Sequence, residues 1–253
     1  MLEDVSALIV DLDGVVWLGR KPIEGAAEAL RRLEESGKRI AFLTNNSTLS
    51  RRDCIRRLGK MGIRTERVIT SSYGAALWVA REGRGRVYAI GERGLREELR
   101  LAGHELVGEG EAESATHVVV GLDRRLNYGK LAAGMRAILS GAKFVATNRD
   151  CSFPTEEGLL PGAGAVVSFL EAATSRPPDV VIGKPEPFLV ELALKELGSK
   201  RGETALIGDR MDTDVVVGKR MGLLTILVLT GVSKEPHGRQ RPDLVVKNLS
   251  DLL

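Results

Sequence analysis

The sequence has few of the features that mark exported and membrane-spanning proteins. Its two cysteines are too few for a disulfide framework in a chain of 253 residues, and we expect both, Cys54 and Cys151, to be ordinary buried thiols. The longest apolar stretch, 221–232, contains glycine and threonine, whereas a membrane-spanning helix needs about 20 apolar residues. Acids stand near the N-terminus, where a signal peptide would carry lysine or arginine. These absences predict a cytoplasmic protein with no membrane partner.

Histidines and amides are also scarce. The three histidines are scattered along the chain, which argues against zinc bound by a cluster of histidine and cysteine. One glutamine and five asparagines, together with 28% charged residues, are typical of a protein from a thermophile. The net charge is only +3, and basic residues alternate with acids along the chain. We therefore expect no nucleic-acid partner.

The order of apolar and amphipathic segments predicts the fold class. Short apolar runs alternate with helical patterns, which is typical of a parallel sheet with helices on both faces. Strands are predicted at 7–10, 40–43, 68–70, 180–182, 205–207 and 224–229. Helices are predicted at 26–35, 51–60, 187–197 and 214–220. The sequence therefore predicts an α/β protein built on a doubly wound parallel sheet.

Two hinge-like segments divide this pattern. The first, REGRGR, begins at Arg81, and the second, TSRPPD at 174–179, contains paired prolines that favour an extended connector. Strand patterns at 87–90, 117–120 and 144–146 lie between the hinges, which is enough for a separate α/β domain. We expect a discontinuous core of residues 1–80 and 178–253, interrupted by an inserted domain of residues 81–177.

Polar residues follow several of the predicted strands. Asp11 and Asp13 come directly after the apolar run at 7–10, and Gly14 lets the chain turn away. The later segments of this kind contain Thr44, Asn45 and Asn46, then Lys184, then Asp209 and Asp214. In open α/β sheets the ligand site lies beyond the carboxyl ends of the strands. We expect all these side chains to meet in one crevice.

The residue types in this crevice indicate its chemistry. Clustered carboxylates need a cation, and ligation by oxygen alone suits Mg²⁺. A lysine together with hydroxyl and amide donors suits the oxygens of a phosphoryl group. The sequence has no G-x-S-x-G motif, and the GKP at 183–185 lacks the serine or threonine that ends a P-loop motif.

Four motifs in chain order, DLDGV, LTNNS, GKPEP and GDRMDTD, resemble the motifs of the haloacid dehalogenase superfamily. The stretch at 147–167 and the GDRxxTD form of the last motif resemble the NagD-like, 4-nitrophenylphosphatase branch, known as subclass IIA. The resemblance implies a Rossmann-like core with a cap domain inserted between the second and third motifs. It also implies a Mg²⁺-dependent phosphatase that acts on small-molecule phosphate monoesters, and relatives of this kind often form homodimers.

The resemblance assigns roles to the acids. Asp11 is the expected nucleophile, which forms an aspartyl-phosphate, and Asp13 is the expected general acid and then general base. The expected Mg²⁺ ligands are the carboxylates of Asp11 and Asp209 and the backbone carbonyl of Asp13. Asp214 is expected to orient its neighbours without binding the metal.

The resemblance also assigns the groups that bind the transferring phosphoryl oxygens. These are Thr44, Asn45, Asn46 and Lys184, with Lys184 also counted among the catalytic residues. The two tryptophans, Trp17 and Trp78, are expected to be packing residues.

Two alternative functions use a similar set of residues. The first is attack by the same aspartate on a carbon–halogen bond, which requires neither a metal nor Asp13. The second is a receiver-type signalling module, which is phosphorylated on aspartate but is about half this length and has no cap. The candidate substrates are phosphoglycolate, sugar phosphates, nucleotides and pyridoxal phosphate.

Overall fold

Strands and helices alternate along the chain in a computed structural model that describes residues 4–155 and 158–253. The strands are β1 (Ala7–Asp11), β2 (Trp17–Leu18), β3 (Lys21–Pro22), β4 (Arg39–Thr44), β5 (Val68–Thr70), β6 (Arg86–Ile90), β7 (Glu105–Leu106), β8 (His117–Val120), β9 (Lys143–Ala146), β10 (Ser152–Thr155), β11 (Gly158–Pro161), β12 (Val180–Val181), β13 (Thr204–Gly208), β14 (Leu224–Val228) and β15 (Leu244–Val246). The helices are α1 (Ala26–Glu35), α2 (Arg51–Lys60), α3 (Ser71–Arg81), α4 (Arg93–Leu101), α5 (Tyr128–Leu139), α6 (Ala163–Thr174), α7 (Phe188–Leu197) and α8 (Val216–Met221). The predicted α/β class is confirmed.

The first sheet has six parallel strands in the order β15-β14-β13-β1-β4-β5. All five residues of β1 are buried, which explains why this strand appears in the sequence as an unbroken apolar run. From β1 the chain adds β4 and β5 on one side, and later β13, β14 and β15 on the other. The strand order therefore reverses beside β1, and ligands of doubly wound sheets bind at such a switch point.

The second sheet has five parallel strands in the order β12-β9-β8-β6-β7. The expectation that the strand at 180–182 continues the first sheet is wrong, because Val180 and Val181 of β12 pair with β9. Asp179 secures this edge: its N–H donates to the carbonyl of Phe144 and its carboxylate accepts the N–H of Phe144. The chain that leaves α6 thus joins the second sheet before it returns to the first. The division into a core and an inserted domain of residues 81–177 stays a prediction.

Helices cover both faces of the first sheet and are shared with the second. Buried side chains of α1 and α2 pack on one face of the first sheet. On its other face, α3, α4, α7 and α8 belong to one hydrophobic cluster with strand residues of both sheets, such as Ile9 and Val119. The outer face of the second sheet is covered by α5 and α6. A continuous apolar layer therefore joins the two sheets.

The helix bounds predicted from the sequence match the structure for two helices and differ for a third. The predicted bounds of α1 and α2 are confirmed, and Ser50 forms a capping box with Asp53 at the start of α2. The helix predicted at 214–220 begins later: 211–215 forms a π-helical turn, and α8 starts at Val216. The turn is wider than an α-helical turn because the N–H of Val215, five residues on, donates to the carbonyl of Arg210.

Two expectations about burial and membranes can also be compared with the structure. Cys54 is buried as expected, but Cys151 is exposed, because it follows β9 in a surface loop. None of the helices within residues 4–155 and 158–253 has the length and apolar character that crossing a bilayer requires.

The second sheet and its helix α4 hold the loop that follows β4. The buried carboxylate of Glu98 on α4 accepts the backbone N–H of Arg51, the first residue of α2, at 2.7 Å. The N–H of Gly94 donates to the carbonyl of Thr48, and the hydroxyl of Ser47 accepts the N–H of Leu122. These contacts fix residues 47–51 from the side of the second sheet.

Glu98 provides a test of this attachment. Glu98→Ala should lower the free energy of unfolding by about 1–3 kcal/mol, because the buried N–H of Arg51 loses its acceptor. Glu98→Gln keeps an oxygen acceptor at the same place, so its loss should be clearly smaller than that of Glu98→Ala. Urea unfolding of the three proteins at neutral pH measures the difference. Equal losses in both variants would show that the charge, not the acceptor, matters.

Candidate active site

Three buried carboxylates meet beyond the carboxyl ends of two neighbouring strands. Asp11 is the last residue of β1, and Asp209 directly follows β13. Asp214 lies in the π-helical turn that comes next. One oxygen of each carboxylate lies within 4.8 Å of the others. The structure therefore brings these three sequence-predicted residues together.

Lys184 reaches this cluster from a connection outside the first sheet. Its Nζ donates to Oδ1 of Asp11 at 2.5 Å and to Oδ1 of Asp214 at 2.6 Å, and the side chain is only 2% exposed. The lysine follows β12 of the second sheet, so only three of the four polar segments lie at strand ends of one sheet. Burial opposes the charge of Lys184, but the two carboxylates raise its pKa above the ordinary value.

The cluster carries more negative charge than one lysine balances. Burial raises the pKa of Asp11 well above its ordinary value, and the neighbouring carboxylates add to this against the effect of Lys184. Burial, followed by the charge of Asp214, raises the pKa of Asp209 to about 7. Both shifts have the same meaning: without a further cation, ionising all three carboxylates is unfavourable.

Two glycines allow the chain to close around Asp209. Gly14 has a left-handed backbone (φ +88°), and a Cβ there would lie 2.4 Å from Oδ2 of Asp209. At Gly231 a Cβ would lie 1.8 Å from the same oxygen. The next residue, Val232, donates its N–H to this oxygen at 2.6 Å. One side of the Asp209 carboxylate is thus fixed by backbone, while its Oδ1 accepts no hydrogen bond from the described residues.

Asp13 has its own set of partners. Its Oδ1 accepts the indole N–H of Trp17 at 2.9 Å, and its Oδ2 accepts the hydroxyl of Thr44 at 3.1 Å. The same hydroxyl oxygen accepts the N–H of Asn46. Thr44 therefore gives its only proton to Asp13, and contact with a phosphoryl oxygen would require the hydroxyl to change partner.

The amide of Asn45 connects three segments. It donates to the carbonyl of Lys184 at 2.9 Å and to the carboxylate of Asp150 at 3.1 Å, and its oxygen accepts the N–H of Lys184 at 2.8 Å. The carbonyl of Asn45 accepts the side-chain amide of Asn148. Asn46 uses its side-chain oxygen for Thr48 in its own loop. The side chains of Asn45 and Asn46 already bind protein groups. Contact with a phosphoryl oxygen would therefore come from their backbone N–H groups or would require the side chains to change partners.

Sequence reasoning missed the hydrogen bond of Trp17. This residue was expected only to pack, because the sequence pattern that predicts a buried tryptophan does not show which acceptor its N–H finds. Asn148 and Asp150 belong to the stretch at 147–167, which by family resemblance is expected to face the active site. Both residues contact Asn45, because the second sheet lies against the site.

The arrangement suits an anion and a cation bound side by side. Carboxylates at the strand ends of a doubly wound sheet, with a lysine and hydroxyl donors beside them, define a site for phosphoryl chemistry. All-oxygen carboxylate ligation in turn suits a hard divalent cation.

Comparison with known proteins agrees with this class. A sequence model of haloacid dehalogenase-like hydrolases matches residues 8–105, and one described as HAD-hydrolase-like matches 181–252. The chain is 38% identical over 256 residues to 5'-nucleotidase YutF of Bacillus subtilis, covering 99% of this chain and 98% of that protein. It is 34% identical over 283 residues to phosphoglycolate phosphatase 2 of Arabidopsis thaliana, covering 100% and 94%.

A solved structure gives the same result. The fold is similar to that of a p-nitrophenyl phosphatase from Archaeoglobus fulgidus, with a TM-score of 0.91, 40% sequence identity and 98% of each chain covered. The chain belongs to the haloacid dehalogenase superfamily, in its NagD-like branch. As an enzyme it is a phosphoric monoester hydrolase.

The raised pKa of Asp209 predicts how stability depends on pH in the metal-free protein. The folded chain keeps this proton up to a pH of about 7, whereas the unfolded chain releases it near the ordinary value of 3.8. The contribution to stability is therefore full below the lower value and is lost as pH rises through the higher one. The loss from this carboxyl is at most about 1.4 kcal/mol per pH unit.

Urea unfolding in EDTA between pH 4.5 and 8 measures this loss. Asp209→Asn should flatten the fall in unfolding free energy, because an amide does not titrate. A fall as steep as in wild type would assign the pH dependence to Asp11 and not to Asp209.

Proposed function

We propose that this phosphatase hydrolyses small-molecule phosphate monoesters with Mg²⁺ and forms a covalent aspartyl-phosphate on Asp11. The observation that carries the proposal is the buried contact of Lys184 with Asp11 and Asp214, next to Asp209. Such a site presents a carboxylate nucleophile and a cationic group to the same phosphoryl group. The phosphatase names of its relatives support this chemistry over attack on a carbon–halogen bond.

The donor set fits Mg²⁺. Three carboxylates face one ammonium, so a divalent cation would balance the remaining negative charge. Burial, together with the charge of neighbouring carboxylates, raises the pKa values of Asp11 and Asp209, and a bound cation would oppose this effect. Asp11 and Asp209, with the backbone carbonyl of Asp13, would hold the ion. When bound, the ion would offset the repulsion between a carboxylate and a phosphate dianion.

The first half of the reaction uses two aspartates. A carboxylate oxygen of Asp11 attacks phosphorus, and the bond from phosphorus to the leaving oxygen breaks. Asp13 donates a proton to that oxygen, so the leaving group departs as an alcohol. Lys184 stays beside Asp11 and offsets the negative charge that develops on the phosphoryl oxygens.

The second half regenerates the enzyme. Asp13, now ionised, takes a proton from a water molecule, and the water oxygen attacks phosphorus. The bond between phosphorus and Asp11 breaks, and inorganic phosphate forms. Thr44, Asn45 and Asn46 supply donors around the phosphoryl oxygens from the loop that follows β4, through their backbone or after a change of partner.

Several finer features belong to the same proposal. Phosphoglycolate, sugar phosphates and nucleotides are the candidate substrates, because relatives are named for each of these classes. We also propose a homodimer in the cytoplasm, in which a partner copy covers the exposed apolar side chains of Leu159 and Leu160 on β11 and of Phe169 on α6. Phosphate release from a panel of about a hundred metabolite phosphates with Mg²⁺ would rank the substrates.

Asp11→Asn tests the nucleophile. We expect turnover to fall below about 1% of wild type with the fold intact, because an amide does not attack phosphorus. Phosphate release from 4-nitrophenyl phosphate measures activity, and circular dichroism measures the fold. A folded variant that keeps more activity, after allowance for deamidation back to aspartate, would contradict the assignment.

Variants of Asp209 and Asp214 distinguish a residue that binds the metal from one that only orients its neighbours. Both oxygens of Asp214 already accept protein donors, from Lys184 and from Arg210, whereas Oδ1 of Asp209 accepts none from the described residues. Asp209→Asn should therefore raise the Mg²⁺ concentration for half-maximal activity well beyond the effect of Asp214→Asn. Replacing a residue that only orients the metal ligands typically lowers metal affinity or activity by about 10- to 100-fold.

Activity titrated with Mg²⁺ in both variants measures the two shifts. A larger shift for Asp214→Asn would reverse the two roles. Activity of the wild type that survives EDTA would overturn the metal requirement itself.

A further inference from the structure

Asp13 is held at both carboxylate oxygens by side chains from different parts of the chain. The indole N–H of Trp17 donates to Oδ1 at 2.9 Å, and the hydroxyl of Thr44 donates to Oδ2 at 3.1 Å. Two donors on opposite oxygens restrict rotation of a carboxylate about its side-chain bonds. A group that transfers protons must lie within hydrogen-bond reach of its target, so this restriction bears on catalysis.

Trp17 is well placed to impose this restriction. Its side chain is 1% exposed, and a buried indole N–H, a donor only, requires an acceptor. The loop between β1 and β2 closes on itself, because the N–H of Gly14 donates to the carbonyl of Trp17 and the N–H of Trp17 to that of Leu12. The indole therefore sits at a fixed distance from Asp13.

Arg57 on α2 stacks on a face of the Trp17 indole ring. Its guanidinium carbon lies 3.9 Å from the centroid of the indole ring. Its Nη2 donates to the carbonyl of Gly19 at 2.7 Å, in the turn between β2 and β3. One arginine thus fixes both the ring and the hairpin that carries it.

We propose that Trp17 is a positioning residue, held by Arg57, that orients the carboxylate of Asp13 for proton transfer to the leaving group. This inference rests on the proposed acid–base role of Asp13. A purely packing role for Trp17 would need the ring but not the N–H. The two roles therefore differ in what the removal of one hydrogen-bond donor does.

Trp17→Phe removes the donor and keeps an aromatic ring under Arg57. Formation of the aspartyl-phosphate determines kcat/KM, and in this step an alkoxide leaving group needs the proton of Asp13 whereas 4-nitrophenolate needs little help. The later base role of Asp13 is common to both substrates and does not enter kcat/KM. We expect kcat/KM to fall about 10- to 100-fold on phosphoglycolate, or on the fastest alkyl phosphate of the panel, and less than about threefold on 4-nitrophenyl phosphate. Arg57→Leu should give a smaller loss with the same substrate dependence.

Trp78→Phe is the matched control. Trp78 packs edge-on against His117, with ring centroids 6.3 Å apart, and Lys143 lies over its ring. Trp78→Phe should affect both substrates equally. Equal losses of kcat/KM on both substrates for folded Trp17→Phe and Arg57→Leu would overturn the inference, and circular dichroism verifies the fold of each.

Asp13→Ala separates this inference from the proposed function. A loss of kcat/KM confined to the alkyl phosphate supports the acid role, and the same pattern at reduced size in Trp17→Phe supports the positioning. If Asp13→Ala alone shows that pattern, the positioning by Trp17 is wrong while the proposed mechanism stands. If Asp13→Ala lowers kcat/KM equally for both substrates, the acid role is overturned and the inference with it.

Discussion

Burial of three carboxylates around one ammonium is the constraint on which the site depends. Removing these charges from water costs several kcal/mol per ion unless each is paired and hydrogen-bonded. Lys184 pairs two of the acids, and the N–H of Val232 binds the third. Neither contact is local in sequence, so the connection after β12 must reach the end of β1 and the connection after β14 must reach the end of β13. The topology of the first sheet makes this possible, because β1 and β13 are neighbours at the point where the strand order reverses.

The sequence predicts the parts of this arrangement that follow from burial and periodicity. A parallel strand covered on both faces appears as a continuous apolar run, so a polar residue at its end stands out, as Asp11, Thr44 and Asp209 do. Helices α1 and α2 were predictable to the residue because an apolar stripe coincides with clear start or stop signals. Lys184 was indicated by its motif, although the sheet assigned to the strand before it was wrong.

The remaining features depend on long-range pairing that periodicity does not encode. The two residues of β12 could join either sheet, and only the position of the chain after α6 decides between them. The contact of Asn45 with Asp150 joins residues from the two sheets. Trp17 illustrates a different limit, because its burial was predictable but the acceptor of its N–H was not. The exposure of Cys151 has a similar cause: a thiol in a loop has no face to pack against.

The loop that follows β4 in the first sheet is therefore also bound to residues of the second sheet and its connections. The Asn45 amide binds the backbone of Lys184 on one side and Asp150 on the other. Further along the loop, Ser47 accepts the N–H of Leu122. Moving the second sheet away would break these bonds and also expose the apolar layer that both sheets share. The donors that we propose around the phosphoryl group thus depend on the second sheet for their positions. A change in a loop of that sheet that reaches the site, such as the one carrying Asp150, would move these donors while the contacts among Asp11, Lys184 and Asp214 stay in place.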